Sequence, residues 1–172
     1  MEPYSILTST HKETILAVQK AALAAVEPGA AVRRHVQRQG EHLVIAGRAH
    51  DLSDVDRVLV VGGGKAAVAM TSALYGILGA RLTGGLVVTK YEHVDPSLDT
   101  GPVEVVEAGH PLPDGAGVVG ARRLVALLSE TTECDLVLAV LSGGGSALMT
   151  LPADGLSLAD LQVATNPVSY TH

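Results

Sequence analysis

Two apolar runs of strand length, Arg57 to Val61 and Asp135 to Val140, each lead within two residues into three consecutive glycines, Gly62-Gly63-Gly64 and Gly143-Gly144-Gly145. A helical pattern follows each turn, in the small and apolar residues Ala66 to Leu78 and in Ala147-Leu148-Met149. A buried strand, a glycine turn and a helix, used twice, restrict the chain to βαβ units and therefore to a parallel sheet. Composition points the same way. Of the 172 residues 47% are hydrophobic, and there is no Phe and no Trp, so the core must be layers of Val, Leu, Ile and Ala. Such layers suit parallel α/β packing better than an aromatic-rich sandwich.

Further strands are predicted over Gly85 to Thr89 and Val103 to Ala108, with Pro96 to Pro102 as a loop. Ala116 to Leu128 carries helical spacing, and Asp114 suits the N-cap of that helix. Four strands separated by helices or long loops predict an α/β fold, a Rossmann-like open parallel sheet with helices on both faces. Upstream, Ile15, Leu16, Val18, Ala22, Leu23 and Val26 predict an amphipathic helix over Thr10 to Val26 that lies on the sheet and stops at Pro28-Gly29. Weak alternation between Ala31 and Asp51 predicts a short strand or two, as in a hairpin. His35, His42 and His50 fall there without ligand spacing or a neighbouring cysteine, which favours surface roles over a metal site.

Parallel strands bring their carboxyl ends to one edge, so the Gly62 to Lys65 turn, Lys90, His110 and the Ser142 to Ser146 turn should line one crevice. Glycine allows close backbone approach, and amides at a helix start can face an anion, with the Ser142 and Ser146 hydroxyls beside them. A tight turn with a serine N-cap is the competing reading. Only four lysines occur, Lys12, Lys20, Lys65 and Lys90, and two of them directly follow predicted strands. Lys65 would add a full charge to the amide dipoles. His110, in a loop stiffened by Pro111 and Pro113, is either a ligand-orienting or acid/base group or a residue that holds its own turn.

Two motifs can be tested here. A Walker A loop would need glycine at Leu59 and Ser or Thr at Ala66, so this is not one. Gly62, Gly64 and Ala67 satisfy the dinucleotide pattern G-x-G-x-x-A, but the next strand ends in Lys90 where an acidic residue should hold the ribose, which leaves only a phosphorylated-ribose variant open.

The formal charge of -6 argues against nucleic acid as a partner. Local dipoles can still bind an anionic small molecule in an acidic protein. The single cysteine, Cys134, forms no internal disulfide, Met1-Glu2-Pro3-Tyr4 opens no signal sequence, and no apolar run is long enough to span a membrane. The expected location is cytoplasmic.

Gly-Gly-Gly-Lys-Ala-Ala at Gly62 to Ala67, Ala-Gly-His-Pro-Leu-Pro-Asp at Ala108 to Asp114, and Leu-Ser-Gly-Gly-Gly-Ser-Ala-Leu at Leu141 to Leu148 follow one another at characteristic distances. Together they resemble the N-terminal domain of the glycerate 2-kinases that carry a C-terminal MOFRL domain. The resemblance implies ATP-dependent phosphorylation of D-glycerate to 2-phosphoglycerate, with Mg2+ or another divalent metal, in a cleft between two domains. It also implies Lys65 as the catalytic lysine, and Gly62, Gly63, Gly64, Lys90, His110, Ser142, Gly143, Gly144, Gly145 and Ser146 as substrate or phosphate contacts. It names no metal ligand and leaves a homo-oligomer open.

The likeness ends near Leu161. The expected organisation is an incomplete N-terminal α/β domain over residues 1–161 and a foreign or frame-shifted tail over 162–172, the sheet unfinished at its C-terminal end. A helix opened by the capping box Ser157-Leu158-Ala159-Asp160 should stop at Asn166-Pro167. Alone, such a chain should scarcely catalyse. The rival readings are an NAD(P)-dependent hydroxypyruvate reductase and a non-catalytic anion-binding fragment.

Overall fold

The computed structural model describes residues 9–169. Two helices, α1 (Ser9–Ala25) and α2 (Pro28–His35), precede an antiparallel meander of β1 (Val36–Gln39), β2 (His42–Ile45) and β3 (Arg48–Asp51). Then follow β4 (Arg57–Gly63), α3 (Ala67–Leu78), β5 (Leu82–Lys90), β6 (Val103–Ala108), α4 (Gly115–Ser129), β7 (Asp135–Leu141), α5 (Gly145–Leu148) and α6 (Leu158–Ser169). The second sheet has the order β6-β5-β4-β7, and every pair in it is parallel.

Alternation along the strands explains the two cores. Val58 and Val60 of β4 and Val87 of β5 face one side, where they pack with Leu74 and Leu78 of α3 and with Leu43 and Leu52 of the meander region. Val61, Leu86 and Val88 face the other side, with Leu124 of α4 and Leu148 of α5. Strands covered on both faces must be apolar throughout, which is why β4 and β5 read as continuous apolar runs. The expected open parallel sheet with helices on both faces is thus the fold observed.

Four expectations need correction. The first helix does not lie on the sheet: Ile15 is 44% and Leu23 71% exposed. One face of the sheet is covered by α3 instead, with α2 packed against α3. Pro28-Gly29, read as a stop, opens α2, because Pro28 fits the first turn and the Glu27 carboxylate caps it by accepting from the Gly29 and Ala30 amides. The hairpin is a three-stranded meander, turned by Ala46 and Gly47, both at positive φ. The last helix does start from the capping box, with Ser157 and Asp160 bonded reciprocally. It runs past Asn166-Pro167 to Ser169, since a proline so near the end removes little of the helix's bonding.

Candidate functional site

The chain lays β5 and β6 on one side of β4 and returns to place β7 on the other, so strand order reverses between β4 and β7. Crevices of open α/β sheets form at such points. Here the two glycine turns interlock. The Lys65 amide donates to the Gly143 carbonyl at 3.0 Å, and the Ser142 amide to the Gly63 carbonyl at 3.2 Å. The Ala66 amide donates to Ser142 Oγ at 3.0 Å. Below them the Gly64 amide donates to the Val88 carbonyl at 2.9 Å, and the buried Thr89 hydroxyl donates to the Gly64 carbonyl at 3.3 Å.

Gly62 and Gly64 are therefore glycines for the sake of what faces them, strand β7 and the second turn. A Cβ on Gly62 would lie 2.0 Å from the Val140 carbonyl oxygen, and one on Gly64 2.2 Å from Ser142 Oγ. Their φ angles of 138° and 127° also exclude ordinary side chains. The amides of Gly64, Lys65 and Ala66 are spent inside the protein, contrary to the picture of a first turn that presents free donors. The Gly143 and Gly144 amides, in contrast, donate to no acceptor among the described residues. The second turn leads only into the four residues of α5, so its donors are individual amides rather than the end of a long dipole.

Gly144 marks where the motifs meet. A Cβ built on it would lie 2.9 Å from His110 Cδ2, 3.1 Å from His110 Nε2 and 3.5 Å from Lys65 Cε. Burial, and after it the charges of Lys65, Lys90 and His93, push the His110 pKa below its ordinary value, while a contact with its own backbone works the other way. Lys65, Lys90, His93 and His110 thus form a basic cluster on a chain of formal charge -6. Lys90 ends β5 beside Ala108, the last residue of β6, and so places its charge at the same edge.

The loop that carries His110 is pinned by Asp114. Its carboxylate accepts from the Gly117 amide at 2.9 Å, capping α4 as expected, and from the Tyr91 hydroxyl at 2.7 Å. Burial alone would raise the Asp114 pKa, but the bonds from Gly117, Tyr91, Gly109 and Ala116 outweigh it and hold the group ionised. Tyr91 and Thr89 are supporting residues that no sequence pattern marked. The His110-Pro111 peptide is cis. Ser146 stands apart from the other predicted residues: it lines a separate cleft with Pro113, Ala147, Thr150, Leu161 and Thr165. Among the described residues no three His, Cys, Asp or Glu gather to hold a metal ion, so the residues present do not fit a metal site. No single helix among them is long and apolar enough to cross a membrane.

A family model described as a domain of unknown function, DUF4147, matches residues 14–169. The chain belongs to this family. It is 44% identical over 113 residues to a D-glycerate 2-kinase of Thermotoga maritima, an alignment that covers 66% of this chain and 27% of that protein. It is 42% identical over 104 residues to a putative hydroxypyruvate reductase of Agrobacterium vitis, over 60% of this chain and 26% of that protein. The crystal structure of a glycerate kinase from Thermotoga maritima has the same fold, with a TM-score of 0.73 and 34% identity over 95% of this chain and 36% of that one. The chain therefore spans about a quarter to a third of the length of these relatives.

Proposed function

We propose that this DUF4147 domain forms one wall of the active site of a glycerate 2-kinase, which transfers the γ-phosphoryl group of ATP to D-glycerate. The meeting of Lys65 and His110 over Gly144, at the point where strand order reverses, is the observation that carries the proposal. Phosphoryl transfer asks an enzyme mainly to position its reactants and to neutralise charge on the transferred oxygens. Lys65, exposed and held by a turn fastened at both ends, suits the second task. The unspent Gly143 and Gly144 amides suit a carboxylate or phosphate oxygen. Lys90 adds positive potential along the same edge, His110 shapes the substrate pocket, and Gly62, Gly63 and Gly64 keep the turns in register. The remainder of the family's length would supply the opposite wall, and the divalent ion's ligands with it.

The test is a steady-state assay of ATP-dependent glycerate phosphorylation by the protein extended to the full length of the family, with and without Lys65→Ala. The substitution is expected to lower kcat by about 10²-fold or more, as loss of a charge-stabilising group does elsewhere. An unchanged rate would remove Lys65 from the mechanism. A reductase remains the second reading, favoured by the G-x-G-x-x-A match at Gly62 to Ala67 and by the Agrobacterium vitis relative's name. NADPH oxidation with hydroxypyruvate, without kinase activity, would establish it instead.

A further inference from the structure

Resting on the kinase reading, we infer that His110 is the general base of the reaction: its imidazole takes the proton of the substrate 2-hydroxyl as that oxygen attacks phosphorus. In this step the O–P bond to the γ-phosphorus forms and the bond from that phosphorus to the β–γ bridging oxygen breaks. ADP leaves with the bonding electron pair, and the hydroxyl proton stays on the ring until solvent removes it.

The geometry singles out this group. His110 Nε2 and the Lys65 side chain share the space over Gly144, lying 3.1 and 3.5 Å from one point. A substrate oxygen whose phosphoryl acceptor position is set by Lys65 therefore lies within reach of the ring. Other candidates fail on chemistry. Lys65 and Lys90 are cations with no lone pair to offer, and His93 sits on the exposed loop after β5. The two nearest acids along the chain are already engaged: Glu107 accepts from the Glu92 amide, and Asp114 accepts from Gly117 and Tyr91. The two bonds to Asp114 hold the histidine loop between the ends of β5 and α4, so the ring is presented from a fixed support. A neutral imidazole near the charges of Lys65 and Lys90 can accept a proton, and those charges favour its release afterwards.

The experiment compares D-glycerate with 3-hydroxypropionate, which keeps the carboxylate and lacks the 2-hydroxyl, in NMR titrations of the chain. The unmodified chain should bind D-glycerate roughly three- to tenfold more tightly, the worth of one hydrogen bond. His110→Phe should bring the two affinities together, whereas Lys65→Met should weaken both and keep their ratio. Independently of any variant, D-glycerate should move the His110 Nε2 resonance and 3-hydroxypropionate should leave it in place. An undiminished preference in His110→Phe, or an Nε2 resonance unmoved by D-glycerate, overturns the base and leaves the kinase standing. Absence of D-glycerate binding to the unmodified chain overturns both.

Discussion

Gly64→Ala should separate the two turns that build the crevice, and its cost can be worked from the contacts. At φ 127° an added methyl forces a backbone conformation that costs an L-residue about 1–2 kcal/mol. The methyl would also lie 2.2 Å from Ser142 Oγ and 2.7 Å from the Ser142 carbonyl oxygen, so the turns must part. Parting breaks the Ala66 to Ser142 and Lys65 to Gly143 hydrogen bonds, worth about 1 kcal/mol each. The total is about 3–4 kcal/mol, a large share of the roughly 5–15 kcal/mol that holds a domain of this size together. Urea unfolding followed by circular dichroism should show the midpoint fall by about 1–2 M. Gly143→Ala is the control, because a Cβ there meets nothing within 4 Å and its φ is not positive. That variant should stay within about 0.5 kcal/mol of the parent. Equal midpoints for the two variants would refute the claim that Gly64 is required by the facing turn.

Two further outcomes follow from the packing and charges. Asp135 accepts from Arg57 Nε at 2.8 Å, from Arg57 Nη2 at 2.7 Å and from the Thr132 amide at 2.8 Å, and the Arg57 bonds above all hold its carboxyl well below the usual carboxylate range. Its stabilising effect is complete above the unfolded-state pKa of about 4 and is lost as pH falls below that value. Unfolding midpoints measured between pH 6 and 3 should therefore fall less steeply in Arg57→Met than in the parent; identical slopes would contradict the pairing. Leu23→Ala on the exposed face of α1 should change stability by less than about 0.5 kcal/mol. Leu43→Ala, at a fully buried position, should cost about 2–5 kcal/mol in the same denaturation series, and equal costs would show that α1 is packed after all.

The parts of the fold legible in the sequence are those where local pattern and tertiary role agree. Val58 to Val61 and Leu86 to Val88 are apolar because both faces of the central strands are covered. α2 escaped notice because Pro-Gly after a helix reads as a stop, while here Glu27 turns it into a start. β3 is the polar segment Arg48–Asp51, and Ala46 hides the positive φ of its turn. At the site, topology alone predicted that Lys65, Lys90, His110 and the Ser142 turn share one edge. The division of labour between the two turns was not legible, because it depends on bonds between residues 76 positions apart, such as Ala66 to Ser142. No local propensity encodes which amides such bonds consume.

The central claim is that the basic crevice receives glycerate and nucleotide phosphate. An amide NMR titration of the chain with D-glycerate, Mg-ATP and NADPH in turn tests it most directly. The account predicts shifts at Lys65, His110, Gly143 and Gly144 with D-glycerate and with Mg-ATP, reduced in Lys65→Ala. Shifts at those residues with NADPH alone would contradict it.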